Sequence, residues 1–103
     1  MTYSQKVKQS KKVLEALRQM KDDEHIIVSY GKNFAGDPKE YKIKAYKDYK
    51  EQISYSIWKH DGFGMDGMNI EKVGKTTMKA YTYDMMSQRT TYVFPLYKLN
   101  IIK

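Results

Sequence analysis

The chain has 103 residues, 41% of them hydrophobic, no cysteine and a formal net charge of +7. That is enough for one domain with one core, and it excludes a disulfide scaffold, a cysteine-ligated zinc site and wholesale disorder. No apolar run approaches the roughly 20 residues that cross a bilayer, and the polar, basic residues 1–10 lack the apolar centre of a signal peptide. The expectation is a soluble, cytoplasmic protein with no membrane partner.

The positive excess is almost all lysine, since Arg18 and Arg89 are the only arginines. Many Lys, Tyr and Ile with little Arg is the codon signature of an AT-rich genome, such as that of a low-GC bacterium or its phage. Whatever its origin, a positive field attracts polyanions. The excess sits at the two ends of the chain, which would make one basic face if they met in space.

Thr2 opens a capping-box pattern with Gln5, and Tyr3, Val7, Leu14 and Leu17, flanked by Val13, Ala16 and Met20, recur at helical spacing. The spacing predicts one amphipathic helix over residues 4–21. Such a helix is marginal alone, so its apolar stripe must dock on a sheet. Residues 24–30 form a β-branched run with Ile26, Val28 and Tyr30 on one face; the turn chemistry of residues 31–38 ends it. Residues 40–46 alternate Tyr41, Ile43 and Ala45 with Lys42, Lys44 and Tyr46. Residues 52–59 alternate Ile53, Tyr55 and Ile57 with Ser54, Ser56 and Trp58, which predicts a hairpin.

Residues 60–69 contain three Gly and no periodicity, and read as the longest loop; residues 70–73 read as a short strand. Two long strands, about 76–85 and 90–101, then form a C-terminal hairpin, with Pro95 marking an edge or a bend in the second. The fold class expected is α+β: an N-terminal amphipathic helix packed on an antiparallel meander of about five strands, in a single domain spanning residues 1–103.

No motif carries catalysis. Residues 73–77 (VGKTT) resemble the end of a phosphate loop, but position 69 is Asn where the motif needs Gly, and a strand follows where it needs a helix. His60, Met65 and Met68 are donors suited to a soft ion, yet Met residues under a loop more often cover apolar surface. Asp61 and Asp66 lack the spacing and terminal Glu of a calcium loop. His25 has no second ligand at metal spacing. Neither an enzyme nor a cofactor is expected.

Two binding surfaces compete. The first is the 60–69 loop, whose Phe63, Met65 and Met68 suit a protein partner, together with an exposed sheet edge near residues 95–102 that could also pair with a second copy. The second is a basic aromatic sheet face built from Lys42, Lys44, Trp58, Lys79 and Tyr81, with Tyr46 and Tyr83 beside them. Lysines neutralise phosphates and exposed rings stack on unpaired bases, so this face suits single-stranded nucleic acid or RNA. The leading expectation is a small non-catalytic accessory protein acting through a protein partner, with nucleic-acid binding as the alternative.

Overall fold

A computed structural model describes residues 1–32, 34–59 and 67–102. Helix α1 runs Tyr3–Gln19, and the expected capping box forms: the Gln5 amide donates to Thr2 Oγ1 at 3.3 Å, and the Thr2 amide to Gln5 Oε1 at 2.9 Å. Each bond satisfies an amide near the helix start that has no intrahelical partner. Val13 and Leu17 are buried beneath it. Ser10 is fully buried as well, and its hydroxyl donates to the Lys6 carbonyl at 2.7 Å, so a small polar residue sits at the helix–sheet contact at no hydrogen-bonding cost.

The sheet has seven strands rather than about five. They are β1 His25–Lys32, β2 Pro38–Lys47, β3 Ile53–Lys59, β4 Met68–Val73, β5 Thr77–Tyr83, β6 Arg89–Pro95 and β7 Asn100–Ile101. All pairings are antiparallel, in the order β6-β5-β4-β3-β2-β1-β7. Two boundaries differ from expectation, and the second of them adds a strand. Met68 and Asn69 belong to β4 instead of to a loop. The strand expected over residues 90–101 divides at Pro95, which has no N–H to donate; Leu96 donates instead to the Thr76 carbonyl at 2.8 Å, and a 3₁₀ turn, Leu96–Lys98, leads to β7.

That short connection shapes the sheet. Strands lie about 4.8 Å apart, so a flat sheet of this order would separate its outer strands by about 29 Å. The five residue steps from Pro95 to Asn100 reach about 18 Å at most. The sheet therefore curls into a half-barrel, and the 3₁₀ turn bridges its two edges, with Leu96 and Leu99 buried.

Because consecutive strands alternate in direction, their connections gather at two ends. Residues 48–52 and 74–76 turn at one, the closed end. Residues 34–37 and 84–88 lie at the other, the open end, where β3 also ends and β4 begins. Cross-strand partners share a face. The inner face carries Val28, Ile43, Ala45, Ile57, Met78, Ala80 and Phe94, which form one core with Val13 and Leu17 of α1 and with Met20 just past its end. The Tyr55 hydroxyl, also on this face, donates to the Leu17 carbonyl at 2.7 Å; burial pushes its phenol up from the ordinary tyrosine range.

The β2–β3 and β5–β6 hairpins use the same five-residue turn, Asp-x-x-x-Gln. Asp48 Oδ1 accepts from the amides of Lys50 (2.8 Å) and Gln52 (3.0 Å), and Asp84 Oδ1 accepts from those of Met86 (2.8 Å) and Gln88 (2.9 Å). The fourth residue of each, Glu51 or Ser87, has φ near +60°. These amide bonds, that of Gln52 first, hold the Asp48 carboxyl below its usual range.

Candidate functional site

Period-two alternation, together with the registers, brings Lys42, Lys44, Trp58, Lys79 and Tyr81 to one face. One row across the sheet reads His25, Lys44, Ser56, Asn69, Tyr81, Thr91; beside it, Lys42 stands next to Trp58, and Lys79 next to Val93. This is the outer face, opposite α1. Tyr46, Lys72, Tyr83 and Arg89 share it.

Its centre is Trp58, 37% exposed, whose indole N–H donates to Ser56 Oγ at 2.8 Å. A Cβ placed on Gly67 would lie 2.5 Å from Cε3, Cζ3 and Cη2 of that ring. Equal distances to three adjacent ring atoms put the point on the axis of the six-membered ring. The indole therefore lies flat over the Gly67 backbone, braced by a hydrogen bond at its other end.

The cations of this face are largely matched by acids. Lys44 pairs with Asp23 at 3.0 Å, while Glu71 accepts from Arg89 at 2.7 Å and faces Lys79 at 3.7 Å. The Lys44 contact holds the Asp23 carboxyl below its usual range, and the Arg89 contact does the same to Glu71. Glu71 in return raises the Arg89 guanidinium. Arg89 also stacks on Tyr81, 4.3 Å from its centroid, and Tyr81 meets Tyr83 edge-on at 5.8 Å. The charge excesses of the chain ends meet only in part: Lys75 lines a groove with Arg18 and Lys98 lies in the turn packed on α1, whereas Lys79 and Arg89 lie elsewhere. Lys8, Lys11, Lys12 and Arg18 are exposed on the helix, on the far side of the sheet from Lys79 and Arg89.

Of the residues expected to meet a protein partner, Phe63 and Met65 lie outside the described residues, as do His60, Asp61 and Asp66. Met68 is half-buried on β4 against the core. Among the described residues, no group of three His, Cys, Asp or Glu could hold a metal, and no helix is long and apolar enough to cross a membrane.

Sequence reasoning missed three of the four most exposed large hydrophobic side chains; the other, Tyr49, is 91% exposed in the 48–52 turn at the closed end. Phe34 and Met85 are wholly exposed and Met86 is 81% exposed. All three sit in connections at the open end, so the meander gathers there what the chain keeps apart. Beside them β6 forms an outer edge, paired only with β5, and exposes Tyr92 (48%) and Val93 (60%). The signal was present in the sequence: large apolar residues inside the turn stretches 31–38 and 84–88, where polar ones are ordinary. No family model, curated relative or solved structure matches the chain, so function is argued from this geometry alone.

Proposed function

We propose that this is a non-catalytic binding protein whose open end docks on a protein partner. The observation that carries the reading is that Phe34, Met85 and Met86, fully or nearly fully exposed, all lie in connections at one end of the sheet. Large apolar side chains held fully in solvent at one end of a molecule suit a contact surface, and Met side chains adapt to the shape of a partner. Burying one such side chain contributes about 1.5–3 kcal/mol, so three of them can anchor an interface. The adjacent β6 edge supports the reading through a second mode. Between Arg89 and Pro95 it carries no charge, in a chain with 19 Lys and Arg, and unguarded edges accept an added strand.

The test combines capture with stability. Immobilised wild-type protein retains a defined set of proteins from a nuclease-treated lysate, and the Phe34→Ser, Met85→Ser, Met86→Ser triple variant loses that set while its melting temperature stays within about 2 °C, as expected for exposed sites. An unchanged set sinks the reading.

The flat, braced indole of Trp58 favours a second reading, in which the outer face stacks an unpaired base while Lys42 and Lys72 approach phosphates. Its ion pairs count against it, because Lys44, Lys79 and Arg89 would have to leave Asp23 and Glu71. That reading requires a labelled single strand to bind at low salt and to release steeply as salt rises.

A further inference from the structure

Toward the open end lies a cavity of about 600 Å³, whose described lining includes Tyr30, Tyr41, Lys59, Thr82, Tyr92 and Phe94. Lys59 pairs across from Tyr41, so it belongs to the inner face, away from Trp58 and the outer lysines. We propose that this cavity binds a small planar aromatic anion, of the class of bicyclic aromatic carboxylates.

Size is the first argument. Cavities of roughly 300–1,000 Å³ hold small organic ligands, and this one is far larger than a packing defect. The arrangement of the rings is the second. Tyr30 and Tyr41 both meet Phe94 at 5.9 Å between centroids, with interplanar angles of 71° and 69°. A ring held edge-to-face by two others is fixed before a ligand arrives, so little side-chain freedom is lost on binding. Three aromatic walls suit a flat π-system, and the hydroxyls of Tyr92 and Thr82 leave a polar margin that an aliphatic chain could not use.

Charge is the third argument. Lys59 is the one cation among the described lining residues, and none of them is a carboxylate. An anion seated against the aromatic walls meets the Lys59 ammonium with no carboxylate among the described lining residues, and charge-assisted hydrogen bonds are stronger where water is partly excluded. A cationic or neutral ligand gains nothing from Lys59.

The probes are 2-naphthoate and its neutral counterpart 2-naphthylmethanol, titrated into the full chain and followed by calorimetry. Naphthoate binds wild type about tenfold more tightly than the alcohol, the discrimination expected of one partly desolvated charge contact worth about 1.4 kcal/mol. Lys59→Met lowers naphthoate to the affinity of the alcohol, while Lys72→Met on the outer face leaves both ligands unchanged. Thr82→Trp, which fills the cavity, abolishes both; where that variant does not fold, Tyr92→Ala, which widens the cavity, takes its place and weakens both. No naphthoate binding at millimolar concentration, equal affinity for acid and alcohol, or affinity indifferent to Lys59→Met overturns the proposal. None of these readouts depends on a protein partner, so they fail or succeed separately from the docking reading.

Discussion

At the scale of single residues, Gly67 and Trp58 are one unit. The glycine is needed for the space it leaves: any side chain there would occupy the volume the indole fills. Gly67→Ala forces the ring to tilt and breaks its bond to Ser56. Since Trp58 is the only tryptophan, its fluorescence reports the event without interference. The variant is expected to emit at longer wavelength and to lose roughly 1 kcal/mol of stability, an ordinary cost of overpacking at a half-exposed site. An unchanged spectrum would mean that the ring is not seated on the glycine. The two cross-strand neighbours are nine residues apart, and nothing in the sequence ties one to the other.

At the scale of elements, the two Asp-x-x-x-Gln turns make a matched pair. Each aspartate accepts two backbone amides that the turn leaves without partners. Asp48→Ala and Asp84→Ala should each lower the melting temperature modestly, because two hydrogen bonds are lost at an exposed site where water replaces them. Asp→Asn at either position keeps an acceptor oxygen and should cost less; equal loss from Ala and Asn in thermal melts would show that the carboxylate acts otherwise. The helix, the β2–β3 hairpin and the division between Lys42, Lys44 and Trp58 on one face and Ile43, Ala45 and Ile57 on the other were legible in the sequence. Each depends on a period of 3.6 or 2, which neighbouring residues encode. The curl, β7 and the gathering of Phe34 with Met85 and Met86 were not legible. They depend on which distant strands pair, and local pattern does not record that.

At the scale of the whole molecule, the carboxylates set the acid limit of stability. Asp23, Asp48 and Glu71 all have folded values below their ordinary ones. A depressed acid contributes stability that is fully present above its unfolded value, near pH 4, and that is lost as pH falls through the folded value. Melting temperature should therefore hold from pH 7 to about 5 and decline below about 4. The difference between wild type and Glu71→Gln should be present at pH 6 and shrink toward pH 3; a constant difference would separate Glu71 from the acid transition. Protonation of these groups also adds to a net charge already at +7, and self-repulsion then works in the same direction.

The bridge between β6 and β7 has a consequence in time. Asn100 and Ile101 pair with Ser29 and Val28, residues more than seventy positions earlier, and the Ile102 amide donates to the Ile27 carbonyl at 2.7 Å. Every other pairing joins strands that follow one another along the chain, so the meander can zip up hairpin by hairpin at a low loop-closure cost. The closing pair cannot. It closes a loop of more than seventy residues, the costliest closure among the described pairings, and so acts as the latch on the curl. A protein caught before that step would have its hairpins and its helix, but the constraint that curls the sheet would still be missing.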